Sequence, residues 1–154
     1  MKVAVLNYTG SVGKTVAASH LLAPRMNGAQ IFAVESTNET GADLGLNVDQ
    51  LRGEHFGRLF RELLTREDAI VDVGASNIED FLTHMMRYED AHEEMSYFVL
   101  PVINTGKAQR ETIKTVAALS ELGVDPERVR ILFNRVDSSV QDEFPSILAY
   151  AAKT

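Results

Sequence analysis

Residues 3–15 read VAVLNYTGSVGKT, and this stretch decides the fold. The apolar run 3–6 predicts a buried strand, and residues 7–13 predict a loop because they are polar and contain Gly10 and Gly13. From Lys14 onwards, Ala and Leu residues predict a helix that ends near Pro24. A strand, a glycine-bearing loop and a helix in this order predict the first βα unit of a parallel α/β protein.

The rest of the chain repeats this alternation. Further strands are predicted at four apolar runs, residues 31–34, 69–73, 97–103 and 129–133. Five strands separated by helices predict a three-layer α/β/α fold with a mostly parallel sheet and helices on both faces. The length of 154 residues predicts a single domain spanning 1–154.

Helical periods stand between the predicted strands. A stripe from Leu51 to Leu64 predicts one amphipathic helix, with His55 at its surface or at the edge of the core. A capping-box pattern at Ser76 and Glu79 predicts the start of another, which turns Phe81, Leu82, Met85 and Met86 inward. Two more helices are expected, one from Asn104 or Thr105 to a stop at Gly123, and a short one over 145–152. Residues 35–50 show no helical period and predict a functional loop.

Composition restricts the function. Lys and Arg total 15 against 22 Asp and Glu, a net charge of −7 with no basic block, which argues against direct binding of duplex DNA. The absence of cysteine excludes disulfide scaffolds, thiolate metal sites and cysteine nucleophiles. The apolar run at the N-terminus is too short for a signal peptide. No apolar run in the sequence approaches the ~20 residues that span a bilayer. We therefore expect a cytoplasmic protein.

The loop after the first strand has the composition of a phosphate-binding loop. Thr9 to Thr15 matches the end of the Gly-x-x-x-x-Gly-Lys-Ser/Thr pattern, although Tyr8 stands where the pattern begins with glycine. Main-chain N–H groups of such a loop point at phosphates, its lysine reaches the β and γ phosphates, and its hydroxyl binds Mg²⁺. The predicted phosphate-binding residues are Gly10, Ser11, Val12, Gly13, Lys14 and Thr15.

Two other loops leave predicted strand ends and carry polar residues. Asp72 ends an apolar strand and is followed by Gly74, a pattern typical of a carboxylate that holds Mg²⁺ and a main chain that faces the γ phosphate. Asn134 and Asp137 form an Asn-x-x-Asp pattern that can read a purine edge. Carboxyl ends of parallel strands bind ligands, so the loops 9–15, 72–77 and 134–137 are expected to meet there.

The loop Thr-Gly-Ser-Val-Gly-Lys-Thr resembles the deviant Walker A loop of the ParA/MinD ATPases. More narrowly, residues 1 to about 137 resemble the StbB plasmid stability proteins. The match is carried by residues 7–15, Leu22-Ala23-Pro24-Arg25, Ala33-Val34-Glu35-Ser36, Arg52-Gly53, Phe56-Gly57 and residues 71–77.

That resemblance implies a P-loop NTPase fold and binding of Mg²⁺ with ATP or ADP. It assigns Lys14 and Asp72 to catalysis, Thr15 and Asp72 to the metal, and Glu35, Thr37 and Gly74 to nucleotide-dependent switching. It also implies a role in plasmid maintenance or conjugation beside a plasmid-encoded DNA-binding adaptor protein, and a nucleotide-dependent homodimer.

The sequence departs from the family pattern at the groups that drive hydrolysis. Thr9 replaces the lysine that relatives extend across a dimer interface, and Thr37 stands where the family places the Asp that orients water. Val16 replaces a hydroxyl residue that helps to hold the α phosphate. Fast phosphoryl transfer needs positive charge on the γ oxygens, so we expect slow hydrolysis unless Lys107, Arg110 or a partner supplies it. Relatives continue beyond the fifth strand, so a truncated family domain is also expected.

Alternative functions are compatible with the same residues. Asn134 favours adenine through the family resemblance, whereas Asp137 at GTPase spacing favours GTP or GDP. A small-molecule kinase or ligase would use Glu35, Glu39 or Asp43 toward an acceptor substrate. A flavodoxin-like domain without a nucleotide is the remaining alternative.

Overall fold

The computed structural model describes residues 1–35, the main chain of 48–51, and residues 55–154. Within them, six strands form one parallel sheet in the order β3-β2-β4-β1-β5-β6. The strands are β1 (Lys2–Val5), β2 (Gln30–Val34), β3 (Val48–Leu51), β4 (Ala69–Val73), β5 (Tyr97–Val102) and β6 (Val129–Phe133).

Helices connect the strands. The first begins as α1 (Lys14–Val16), continues as a π-helical stretch (Ala17–Leu22) and ends in a 3₁₀ turn (Ala23–Arg25). The others are α2 (Phe56–Leu64), α3 (Ile78–Arg87), α4 (Gly106–Glu121), α5 (Val140–Glu143) and α6 (Pro145–Ala151).

The central strands of the sheet are buried on both faces. Along β1, Val3 and Val5 pack on one face against Ala17 and Ala18. Ala4 lies on the opposite face, in a larger cluster that includes α2, α3 and the end of α4. Successive side chains of a strand point to opposite faces, so a nearly continuous apolar strand needs helices on both sides. The fold class predicted from the sequence, a three-layer α/β/α protein with a parallel sheet, is therefore confirmed.

The five predicted strands are all present, but the prediction for residues 35–50 is wrong in part. Residues 48–51 form β3, which pairs in parallel with β2. The following helix consequently begins at Phe56, and Leu51 belongs to the strand. A four-residue edge strand has too little periodicity to be recognised without its partner.

Two details of the predicted helices are also wrong. Of the four residues predicted to face inward, Phe81, Leu82 and Met85 are buried. Met86 is 68% exposed. A 3₁₀ turn (Ala75–Asn77) precedes α3, whose N-cap is Asn77 without a side-chain capping bond. The expected capping box at Ser76 and Glu79 is thus not formed, because the 3₁₀ turn moves the N-cap of α3 one residue further along the chain, to Asn77.

The sheet order places the first loop centrally. β1 lies between β4 and β5, so the loop that follows β1 is flanked by the ends of both strands. No helix among the residues that the structure describes is long and apolar enough to cross a membrane.

Candidate functional site

An open cavity of about 460 Å³ lies at the carboxyl ends of the strands. The loops after β1, β4 and β6, which the sequence predicts to meet, all contribute to it, and so does the residue after β2. Its lining residues are Gly10, Ser11, Gly13, Lys14, Thr15, Val16, Glu35, Gly74, Ala75 and Arg135. Val12, which also belongs to the first loop, is fully buried and does not line the cavity.

Asn7 anchors the first loop. Its fully buried side chain donates from Nδ2 to the Pro101 carbonyl at 2.9 Å and to Thr112 Oγ1 at 2.6 Å. Its Oδ1 accepts from the main-chain N–H of Thr9 at 3.1 Å. A buried amide whose hydrogen bonds are satisfied holds its neighbours in one geometry. The loop is therefore fixed to β5 and α4 at the point where it leaves β1.

Lys14 lies inside the loop. Its Nζ donates to the Asn7 carbonyl at 3.2 Å and to the Thr9 carbonyl at 2.7 Å, and the residue is only 8% exposed. Burial lowers the pKa of Lys14, and the charges of Asp72 and Glu35 oppose that shift. The ammonium thus closes the loop on itself and stands close to two carboxylates.

Thr15 and Asp72 form the second polar contact. The Thr15 hydroxyl donates to Asp72 Oδ2 at 2.7 Å, and Asp72 is 3% exposed at the end of β4. Burial raises the pKa of Asp72, while the Thr15 hydrogen bond and the charge of Lys14 lower it. Two hard oxygen groups lie side by side, which is the donor chemistry that Mg²⁺ prefers.

Gly13 allows the loop to approach the end of β6. Its φ is +94°, and a Cβ at this position would lie 2.6 Å from Nδ2 of Asn134. The same Nδ2 donates to the Val12 carbonyl at 3.0 Å, and Asn134 Oδ1 accepts from the N–H of Arg135 at 3.0 Å. Among the residues that the structure describes, one N–H and one lone pair of the Asn134 amide make no hydrogen bond, and a ligand could use them.

Gly74 packs against the end of β2. Its N–H donates to the Val34 carbonyl at 2.9 Å, and a Cβ would lie 3.3 Å from the Glu35 side chain. Two of the three predicted switch residues therefore lie together at the cavity wall. Thr37, the third, lies outside the described residues, as do the candidate acceptor residues Glu39 and Asp43.

Asp137 does not join the cavity. It is exposed, and its N–H donates to Glu143 Oε1 at 2.9 Å. Lys107 and Arg110, the expected sources of extra charge, are exposed on α4 and do not line the cavity either. The Thr9 hydroxyl is buried without a hydrogen-bond partner among the residues that the structure describes.

Two residues at the site were not recognised as functional from the sequence. Asn7 follows a strand directly, and a buried polar residue at that point is a signal only when its distant partners Pro101 and Thr112 are known. Arg135 occupies an unspecified position of the Asn-x-x-Asp pattern at 134–137, yet it lines the cavity. Its φ of +54° is unusual for a residue with a side chain and gives no signal in the sequence.

Comparison with known proteins supports the fold. No protein-family model and no curated protein matches the sequence. Among solved structures, the chain is similar to the MinD cell division protein of Aquifex aeolicus, with a TM-score of 0.58 and 12% identity, covering 96% of this chain and 78% of that one.

Two further structures are similar. One is a candidate plasmid partition protein of Borrelia burgdorferi B31 bound to AMPPNP, with a TM-score of 0.57, 11% identity and coverage of 99% of this chain and 80% of that one. The other is cobyrinic acid a,c-diamide synthase of Mycobacterium smegmatis with ADP and magnesium, with a TM-score of 0.52, 14% identity and coverage of 99% and 81%. The described structure therefore has the P-loop NTPase fold of ParA/MinD-type proteins.

Proposed function

We propose that this chain is a Mg²⁺-dependent nucleotide-binding switch that binds ATP and ADP through residues 9–15 and hydrolyses ATP slowly. The observation that carries this proposal is the cavity at the end of β1, where the glycine-bearing loop, the Lys14 ammonium and the Thr15–Asp72 pair come together. Such a loop offers main-chain N–H groups and one ammonium to a chain of phosphates. In the similar structures, AMPPNP or ADP with magnesium is bound on the same fold.

The donor set fits Mg²⁺. Thr15 Oγ1 and Asp72 Oδ2 are 2.7 Å apart. Within the described residues, no cationic side chain forms a hydrogen bond with either side chain. In the bound state Thr15 would ligate the metal and Asp72 would hold its water shell, while the metal would neutralise phosphate charge. Lys14 would exchange its two carbonyl partners for phosphate oxygens.

Asn134 is proposed to contact the base, with adenine preferred. It retains an unused N–H and an unused lone pair beside the phosphate loop, which is the pairing that an adenine edge needs. GTP or GDP binding would rely on Asp137, whose N–H bonds to Glu143 away from the phosphate loop, whereas Asn134 contacts that loop directly, and this favours adenine. Competition by GTP but not by ATP would overturn the preference.

Slow hydrolysis follows from the charges near the loop. Thr9 carries no charge, and its carbonyl is already bound to Lys14. Positive charge on the γ oxygens is worth ~10³ to 10⁵ in rate, and its loss affects the transition state more than the bound nucleotide. A single-turnover rate near 1 s⁻¹ or above, at the low end of ordinary enzyme turnover, would contradict this part of the proposal.

The cellular role is proposed by resemblance to StbB proteins. It is plasmid maintenance or conjugation in the cytoplasm, with a plasmid-encoded DNA-binding adaptor and a nucleotide-dependent homodimer as partners. The stretches 7–15 and 71–77, which carry that resemblance, both contribute to the cavity. Bound and empty states would then differ at Glu35 and Gly74, where the adaptor or a second copy would detect them.

A titration of the purified chain with fluorescent ADP and GDP, with and without Mg²⁺, tests the site. Lys14→Ala should weaken ADP binding about tenfold to hundredfold, because a charge-assisted contact to phosphate is lost. Lys153→Ala removes an exposed lysine near the end of α6 and should leave binding unchanged. Equal affinities of the wild type and Lys14→Ala would overturn the phosphate-loop assignment.

A second candidate function is a small-molecule kinase or ligase. Glu35 lines the cavity near Lys14, where a carboxylate can face an acceptor substrate, and the fold is shared with a diamide synthase. Turnover stimulated by a metabolite would favour this candidate. Stimulation by a protein partner alone would favour the switch.

A further inference from the structure

Arg135 is held at the cavity by the end of β6. Asn134 bonds to the Val12 carbonyl with its Nδ2 and to the Arg135 N–H with its Oδ1. Arg135 then adopts a φ of +54°, a left-handed conformation that favours glycine. The chain thus turns directly beside the phosphate loop, and this turn brings the arginine to the cavity wall.

The guanidinium of Arg135 is uncommitted within the described part of the chain. No ion pair and no hydrogen bond from its side chain exists there, whereas Arg66 pairs with Glu62 and Arg128 with Glu93. Lys14, the other cation of the cavity wall, is bound inward to two carbonyls of its own loop. Of the two cations that line this wall in the described part of the chain, Arg135 is therefore the one that no protein group occupies.

Among the residues that the structure describes, two carboxylates and two cations lie at the cavity. The carboxylates are Glu35, which lines the wall, and Asp72, which accepts a hydrogen bond from the lining residue Thr15. The cations are Lys14 and Arg135, which both line the wall. Thr9 contributes no charge at the position where the resemblance places a second lysine. A polyphosphate gains electrostatic attraction from each cation that faces it.

On these grounds we propose that Arg135 binds the phosphate chain of the nucleotide as a second protein cation beside Lys14, a ground-state contact that strengthens binding and leaves the proposed slow hydrolysis unchanged. The proposal rests on the proposed nucleotide-binding function and specifies its ligand class, a ligand with at least two linked phosphates. Guanidinium groups suit this task because their fork of N–H donors matches phosphate oxygens. Asn134 then acts as a positioning residue that aims Arg135 at the ligand.

The test is the affinity of the full chain for ATP, ADP, AMP and inorganic tripolyphosphate, measured by displacement of fluorescent ADP with Mg²⁺ present. Arg135→Gln should weaken ATP and tripolyphosphate about tenfold, and AMP less than about twofold, because the lost contact is to phosphate. Arg135→Lys keeps the charge, so it should bind ATP more tightly than Arg135→Gln does. Its ATP affinity should also fall more steeply with added salt than that of Arg135→Gln.

Two further variants separate binding from folding. Arg135→Gly relieves the left-handed backbone, so it should unfold at the same or a higher temperature and still lose ATP affinity. Arg130→Gln removes a charge from the exposed surface of β6, where the arginine lies over Tyr97, and should leave nucleotide binding unchanged.

The outcomes distinguish the two proposals. If the wild type binds no nucleotide, or binds it independently of Lys14, the proposed function fails. If the wild type binds through Lys14 but Arg135→Gln binds ATP and tripolyphosphate as tightly as the wild type, only the inference about Arg135 is overturned. An equal loss for AMP and ATP, with tripolyphosphate unaffected, assigns Arg135 to the base and also overturns it.

Discussion

The loops that follow β1 and β6 meet at the same cavity but are held in different ways. The first is tied down by buried groups, with Asn7 fully buried and Lys14 8% exposed. The second, residues 135–138, is exposed. It is held mainly by one surface carboxylate, Glu143, which accepts from the N–H groups of Asp137 and Ser138 and from the Ser138 hydroxyl.

This difference separates two tasks. A loop held by buried hydrogen bonds keeps its N–H groups in place before a ligand arrives, so less ordering is needed on binding. A loop held by exposed bonds opens at low free energy and can follow the ligand. Affinity is then expected to depend mainly on the first loop, with a smaller share from Arg135, and adjustment to the ligand on the second.

The largest effect is expected from Gly13→Ala. The left-handed backbone costs about 1 to 2 kcal/mol for a residue with a Cβ, and the Cβ would displace Asn134 Nδ2, which lies only 2.6 Å away. We expect a loss of about 2 to 3 kcal/mol in the free energy of unfolding, together with weaker nucleotide binding. Urea denaturation measures the first and titration the second.

The matched control is Gly10→Ala. A Cβ at Gly10 meets no atom within 4 Å, so stability should change by less than about 0.5 kcal/mol. Similar losses in both variants would show that the contact with Asn134 does not shape the loop.

Asn7→Ala should come next. It leaves the Pro101 carbonyl and the Thr9 N–H without a partner in a buried place, and we expect a loss of about 2 kcal/mol. Asn104→Ala removes one exposed bond to Glu143 and should cost about 0.5 kcal/mol or less. Chemical denaturation of both variants compares the two regions directly, and a larger loss for Asn104→Ala would reverse the comparison.

Asp72→Asn should have a smaller effect of opposite sign on the nucleotide-free chain. Burial raises the pKa of Asp72, so ionisation costs the folded state stability as the pH rises from the ordinary carboxyl value through the folded-state pKa. The amide avoids that cost, so the variant should be more stable near pH 7, and its advantage should shrink as the pH falls.

Thermal unfolding at several pH values, without nucleotide, measures this effect. Asp80→Asn, on the exposed side of α3, is the control and should give no gain. A stability difference between wild type and Asp72→Asn that is independent of pH would be at odds with a buried, titrating carboxylate.

Glu143→Gln should have the smallest effect on global stability. The N–H of Ser138 is the main cause that lowers the pKa of Glu143, followed by the Ser138 hydroxyl and Asn104. The carboxylate therefore holds the second loop fully above its unfolded-state pKa and loses its hold as the pH falls through the folded-state pKa. Amide exchange at Asp137 and Ser138 should become several-fold faster in the variant, with an unchanged melting temperature.

Glu89→Gln, another exposed glutamate, is the matched control and should not alter exchange at these amides. Protection of Asp137 and Ser138 that persists in Glu143→Gln would mean that other contacts hold the second loop.

The local features of this protein were predictable from the sequence. Strands 69–73 and 129–133 match the observed β4 and β6, and the N-cap at Thr105 and the stop at Gly123 are also found. These features depend on side-chain period, capping and turn residues, which act between neighbours in the chain. For the same reason, the glycine-bearing loop was recognisable as a candidate phosphate site.

The completion of that site by distant segments depends on tertiary contacts. The pairing of β3 with β2, the burial of Asn7 against Pro101 and Thr112, and the contact of Asn134 with the Val12 carbonyl join residues up to 122 positions apart. Arg135 lines the cavity and Asp137 does not. This difference accompanies the left-handed backbone of Arg135, whose N–H donates to Asn134 Oδ1. Sequence patterns record local preference, whereas these contacts depend on the sheet order that brings the ends of β1 and β6 within reach of each other.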